Sequence, residues 1–244
     1  MSDVIIDRDG AVLLVEFNRP EYANALSEEV VEQLLVAFSA KEAAGVELAV
    51  FSGRGANFCA GFDLRDLDQS SDADLMWRII RIELLLQEVF HAPFVTLALA
   101  HGSAIGAGAD LFGACAIRVA SPGTKFRMPG WGFGIALGTR RLAHRVGADT
   151  ARDLLLTSAS FDSQRGHEIG FVQEVTPQVS WPEARKRAEL LASTLAKDSV
   201  QRLLALTTPE TRDADMSALV RSACRPGLQE RIVAYRRTVA SKRK

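Results

Sequence analysis

Asn57-Phe58-Cys59-Ala60-Gly61-Phe62-Asp63-Leu64 and, further on, His101-Gly102-Ser103-Ala104-Ile105-Gly106-Ala107-Gly108-Ala109-Asp110 decide how this chain is read. Both are glycine-marked turns. Glycine has no Cβ and accepts positive φ, so backbone at such a bend comes close to a ligand. The second turn runs into Leu111 and Phe112, an apolar helical start. Its amides are therefore expected to point outward from a helix N-terminus, where negative charge is favoured. Two amides converging on one point form an oxyanion hole, often the largest single contribution to catalysis.

Outward from these turns, strand and helix alternate, which predicts an α/β fold. Residues 94–100 read as a buried strand leading straight into the second turn, and 48–51 as another. Val4-Ile5-Ile6 and residues 11–17 flank Asp9-Gly10, a hairpin signal. Ser27 is placed to cap a helix with Glu28 and Glu29 in its first turn and Val30, Val31, Leu34, Leu35 and Phe38 at helical spacing, ended by Gly45. Ser71 and Asp74 have capping-box spacing ahead of a helix over 76–90, which His91-Ala92-Pro93 breaks. Strands are expected over 115–120 and 125–128, and helices over 134–146 and 149–156. Ser180 with Glu183 predicts a further capped helix, with Pro182 at a tolerated early position.

The 244 residues suit one domain, or one domain with a helical appendage. At 48% hydrophobic and 24% charged residues, the composition is that of a soluble globular protein. A net charge of −1 argues against a nucleic-acid surface. Cys59, Cys115 and Cys224 are an odd set without framework spacing, which points to a reducing, cytoplasmic location. Met1-Ser2-Asp3 opens directly into a strand with no signal-peptide pattern, and the longest apolar runs fall short of the about 20 residues of a membrane span.

Several blocks, in order, resemble the enoyl-CoA hydratase/isomerase (crotonase) family. They are Phe17-Asn18-Arg19-Pro20 with Asn24-Ala25-Leu26, Phe51-Ser52-Gly53 with the first turn, His101-Gly102 with Ile105-Gly106-Ala107-Gly108, and Asp162-Ser163-Gln164-Arg165 leading into residues 169–175. The resemblance implies a spiral of stacked ββα units over 1–190 and a helical oligomerisation region over 191–244. It implies a homotrimer or homohexamer acting in fatty acid metabolism on an acyl-CoA or enoyl-CoA thioester, with no metal or separate cofactor. It places the thioester oxygen on the N–H groups of Phe62 and Ala107. The CoA arm would run along Ala60, Gly61, Phe62, Asp63 and Leu64 and near Asn24, Ala25 and Leu26, with Gly106, Gly130 and Trp131 completing the site.

Hydratases of the family hold one water between two glutamates. At the first position this chain has Asp110, whose reach is shorter by ~1.5 Å, and proton transfer needs heavy atoms within about 2.6–3.2 Å. Asp110 is read either as the acid–base group or as a first-turn residue complementing the helix dipole. The second glutamate follows a Phe-x-x-Pro segment; here Phe126-Arg127-Met128-Pro129 is followed by Gly130. No carboxylate occurs between Asp110 and Asp149, and the loop from Trp131 to Gly138 is shorter than in typical members. Three readings follow: an enzyme working through an enolate-type intermediate, a non-catalytic acyl-CoA-binding homologue, or another thioester reaction such as hydrolysis or decarboxylation. Asp63 either orients the first turn or faces the acyl pocket. Phe62, Met128, Trp131 and Phe133 either line that pocket or belong to the core.

Other constellations drop out. Residue 111 is leucine, so no dinucleotide fingerprint is present, and the four histidines lack zinc spacing. Val200, Leu203, Leu204, Leu206, Leu219, Val220, Leu228, Ile232 and Val233 form apolar stripes that need burial, which predicts a subunit interface. Ser241-Lys242-Arg243-Lys244 reads as a frayed, solvated basic end.

Overall fold

A hairpin opens the chain: β1 (Val4–Asp9) and β2 (Val12–Phe17) pair antiparallel with Val4 opposite Phe17, turning through Gly10 at φ +60°. The structure, a computed structural model, describes residues 2–241 and the side chains to residue 238; the expected basic tail lies, from Lys242 on, outside the described residues.

Ser27 Oγ accepts the N–H of Val30 and starts α1 (Glu28–Ala37). That helix stops at Ala37 rather than at Gly45, and residues 39–45 form turns that reverse at Gly45, φ +78°. β3 (Leu48–Gly53) follows. Ser71 and Asp74 then make the reciprocal capping box of α2 (Asp72–Phe90). β4 (Val95–Ala100) leads through the second glycine turn into β5 (Ser103–Ile105) and α3 (Ala107–Ala114). Next come β6 (Ile117–Ala120), β7 (Lys125–Arg127), α4 (Thr139–Val146), α5 (Ala148–Thr157), β8 (Phe161–Asp162), α6 (Ser163–Glu168) and β9 (Glu174–Val175). The chain ends in α7 (Trp181–Ser193), α8 (Lys197–Thr207), α9 (Arg212–Ala223) and α10 (Leu228–Ser241).

A helix over 134–146 does not form as expected. Gly134 (φ +78°) and Gly138 (φ +64°) take left-handed backbone, so residues 130–133 make a 3-10 turn and α4 begins only at Thr139. Ser180 precedes α7 without a capping hydrogen bond from its side chain.

The large sheet runs β1-β2-β3-β4-β6-β9 and is parallel from β2 to β9. Parallel strands covered on both faces must be apolar throughout, and β4 is buried at every position. One face packs on α1, α2 and α3 through Leu34, Phe51, Leu86 and Phe112; the other receives Ala184, Ala188 and Ala192 of α7. A small sheet, β5-β7-β8, stands beside it.

The C-terminal stripes divide. Leu219, Ala223, Leu228 and Ile232 are buried inside this chain against Leu67, Leu75, Ile79 and Ile135, so α9 and α10 fold back on α2 rather than leaving that face for a neighbour. By contrast Leu190, Leu191, Leu195, Leu203 and Leu206 on α7, the turn after it and α8 are exposed. No helix among the described residues is long and apolar enough to cross a membrane.

Candidate active site

The two glycine turns meet backbone to backbone. Phe58 N–H donates to His101 O at 2.9 Å, Cys59 N–H to Ser103 O at 3.2 Å, and Ile105 N–H to Cys59 O at 2.9 Å. A Cβ on Gly61, which has φ +82°, would lie 2.3 Å from Ile105 O, and one on Gly108 would lie 2.2 Å from Cys59 O. Only glycine permits this approach. Gly61 O accepts from Leu26 N–H and Leu26 O accepts from Asp63 N–H, at 2.7 and 3.3 Å. Phe62 sits between these bonds, and Ala107 is the first residue of α3. Neither amide meets an acceptor among the described residues. Both residues line a cavity of about 490 Å³.

Behind the first turn lies a brace. Asn24, in left-handed backbone at φ +57°, accepts Arg19 N–H at 2.9 Å and donates to Arg54 O at 2.9 Å and Asn57 O at 2.7 Å. Arg19, itself buried, donates to Ala25 O at 2.6 Å and to the Asp63 carboxylate at 3.0 Å. Arg65 donates to the same carboxylate from its side chain at 3.0 Å and from its amide at 3.1 Å. Burial alone would raise the Asp63 carboxyl, but hydrogen bonds from Arg65 and Arg19 outweigh it and hold the group below the usual carboxylate range. Asp63 is thus held by Arg19 and Arg65 within the first turn, and it is not among the residues that line the cavity. Asn24, Ala25, Leu26 and Gly61 stand with it, one layer back. Ala60, Phe62, Leu64, Gly106, Ala107, Asp110, Gly130 and Trp131 line the cavity.

Asp110 lies on α3 one turn after Ala107, only 6% exposed, and its carboxylate makes no hydrogen bond among the described residues. Burial pushes its carboxyl up to about 7; Arg141 draws it down and Glu83 pushes it further up. A Cβ on Gly138 would fall 1.9 Å from Asp110 Oδ1, so the bare, left-handed Gly138 makes the room this carboxylate occupies. Behind it Arg141 pairs with Glu83 at 2.9 and 2.5 Å and with Asp215 at 3.5 Å, all three buried. Sequence reading missed Gly138, Arg141 and Glu83. Glu83 did carry a signal: it sits between Ile79, Ile82 and Leu86 on the buried face of α2, and a charge there requires a partner.

Among the described residues of the cavity wall no acid stands in for the second glutamate. Gly130 opens the 3-10 turn, and a Cβ on it would lie 3.0 Å from Ile135 O. Phe62, Met128, Trp131 and Phe133 all line the cavity. Arg78 stacks over the Phe62 ring at 4.6 Å, and the Trp131 indole donates to Thr139 Oγ1 at 3.0 Å. Ile79, Ile82, Ile135 and Leu137 supply a continuous apolar wall, which α10 closes with Ile232 and Tyr235. Such a chamber can take an apolar acyl group, and its lining includes two residues whose amides meet no described acceptor and one carboxyl raised to about 7.

A sequence profile described as "Enoyl-CoA hydratase/isomerase" matches residues 7–236. A crystal structure of a Bordetella parapertussis protein assigned to the enoyl-CoA hydratase/isomerases superposes with a TM-score of 0.93 at 43% identity, covering 96% of this chain and 98% of that one. An enoyl-CoA hydratase from Bacillus halodurans shares the fold, with a TM-score of 0.83 at 23% identity over 96% of this chain and all of its own. A Mycobacterium leprae protein named as an enoyl-CoA hydratase is 32% identical over 171 residues, 67% of each chain.

Proposed function

The chain belongs to the enoyl-CoA hydratase/isomerase family, sharing its crotonase-type α/β fold with a helical C-terminal region, and from that premise we infer that it binds an acyl-CoA or enoyl-CoA thioester and acts on it through an enolate-type intermediate. In this reading the thioester oxygen accepts hydrogen bonds from Phe62 and Ala107, whose amides are preorganised for the charge that develops there. The observation that carries it is the pair of amides without an acceptor, both belonging to residues of the cavity wall that Asp110 shares. Asp110, with its carboxyl at about 7, is matched to proton transfer at neutral pH.

Gly130 favours a second reading beside the first. Without a carboxylate at that position, water is not held between two acids, which supports an acyl-CoA-binding homologue without hydratase activity, or thioester hydrolysis or decarboxylation in the same hole. The retained Asp110 favours catalysis of some kind. We place the core at 1–190 and the helical region at 191–244, and assign the exposed Leu190, Leu191, Leu203 and Leu206 to contacts in a cytoplasmic homotrimer or homohexamer; a monomer mass by light scattering at micromolar concentration removes that assembly.

The test of the oxyanion assignment is Ala107→Pro. Proline is tolerated at the first position of a helix, so the change removes chiefly one N–H. Loss of acyl-CoA binding by calorimetry, in a variant that melts as a folded protein, is the expected result. Undiminished binding rules the assignment out.

A further inference from the structure

Two cations in the cavity wall, Arg127 and Arg236, have no carboxylate partner among the described residues, and Arg127 is the one placed on a strand. Arg127, at the end of β7, is half-buried and lines the chamber. Its Nε donates to Ser158 O at 2.9 Å, and its guanidinium lies 6.0 Å from the centre of the Tyr235 ring. No carboxylate among the described residues pairs with it, whereas the buried Arg19 and Arg141 each meet two. A guanidinium withdrawn from water without an anion is costly, and its remaining donors have a planar fork that suits a carboxylate.

The surroundings have the same sign. Arg236 lines the chamber beside Tyr235, and the groove on the far side of Tyr235 is walled by Arg127, Arg225 and Arg231 with no acidic residue. Among the described residues, Asp110 is the one acid that lines the chamber. The Tyr235 hydroxyl is a further unmet group, buried with no hydrogen-bond partner. A cleft whose charges share one sign concentrates ligands of the other. Meanwhile Ile79, Ile82, Ile135 and Leu137 require the body of the ligand to be apolar.

We propose that the acyl group received here is apolar along its length and ends in a carboxylate bound by Arg127, so that the substrates are ω-carboxyacyl-CoA thioesters. This rests on the thioester reading above and adds the class of acyl group. A carboxylate at the far end would accept the guanidinium N–H donors and pair a cation that no described carboxylate meets.

The test is binding by titration calorimetry of two matched pairs, adipyl-CoA against hexanoyl-CoA and suberyl-CoA against octanoyl-CoA. Members of a pair have equal carbon number and differ only in a terminal carboxylate or methyl. The native protein is expected to prefer the carboxylate member of at least one pair by about tenfold or more, the scale of a charge-assisted bond. Arg127→Met should bring that ratio close to one, and Arg127→Lys should keep part of it. Equal or tighter binding of the methyl members by the native protein overturns the proposal, as does a preference that survives Arg127→Met. Failure of all four thioesters to bind removes the thioester reading itself, and this inference with it.

Discussion

The two glycine turns carry two aspartates of nearly equal burial, Asp63 at 3% and Asp110 at 6% exposure, that behave in opposite ways. Arg19, Arg65 and a backbone amide surround Asp63 and keep it ionised. Asp110 accepts no hydrogen bond on its carboxylate among the described residues, and burial pushes it up to about 7. Burial penalises charge in both places; the donors decide which carboxylate keeps it. The first turn is thus built to hold one shape, and the second keeps a proton that can move. In the proposed function the first turn supplies an amide, while the second supplies an amide and also Asp110, the carboxylate among the described residues of the cavity wall.

The largest effect expected from this division concerns water. If Asp63 is locked and Gly130 carries no acid, nothing shares with Asp110 the task of orienting a hydrating water. Crotonyl-CoA hydration should then fall below ordinary enzyme rates by about 10²–10⁴-fold, the worth of a positioned acid or base. Gly130→Glu should raise the rate, provided Ile135 O shifts by a few tenths of an ångström to admit the Cβ now 3.0 Å away. Asp110→Ala in that background should abolish the gain. Native turnover at about 10 s⁻¹ or more would mean that a second acid reaches the water after all.

Next in size is the lock itself. Asp63→Asn removes the anion while leaving Arg19 buried, the case in which breaking one half of an ion pair costs about 3 kcal/mol. Arg19 retains Asp3 at 2.8 Å, which keeps the loss at the lower end of that range. Chemical denaturation measures it. A variant as stable as the native protein would show that the brace of the first turn resides in Asn24 and the backbone instead.

The sequence carried more of the first turn than of its brace. Glycines at 61, 102, 106 and 108 announce the bends, Ser27 and Ser71 announce helices, and Asp9-Gly10 announces the hairpin, because each is a local backbone requirement. The pairing of Asp63 with Arg19 spans a sequence distance that no spacing rule crosses, so the residue pattern favours an orienting role for Asp63 over one in the acyl pocket without naming its partners. The sequence predicts a helix from residue 134, but in the fold Ile135 and Leu137 line the cavity between two left-handed glycines, Gly134 and Gly138. The return of α10 was hidden for a related reason. Leu228 and Ile232 show a stripe that must be buried, but a stripe does not say whether its cover is the same chain or another. The answer lies in Asp72, which accepts the N–H groups of Gly227, Leu228 and Gln229 at the start of α10 and ties it to α2.

The smallest effect, and the most direct probe of the contrast, is the pH dependence that Asp110 imposes on stability. Its folded value of about 7 lies above the ordinary 3.8. Between these values the unfolded chain has released the proton and the native protein still holds it, so stability falls as pH rises. Asp110 therefore favours the native state fully below the ordinary value, and that contribution is lost as pH climbs through about 7. Asp110→Asn does not titrate. Relative to the variant, the native protein should lose about 2 kcal/mol between pH 5 and pH 7, read as the difference between two denaturation series. Partial desolvation, first of all, holds His91 and His144 below the ordinary imidazole value. They are present in both proteins and largely cancel in the difference. A difference that stays flat from pH 5 to 8 would place the carboxylate in a far better solvated setting than its burial implies. It would also remove the distinction from Asp63, whose depressed value predicts the reverse slope, with stability lost as pH falls into the acid range.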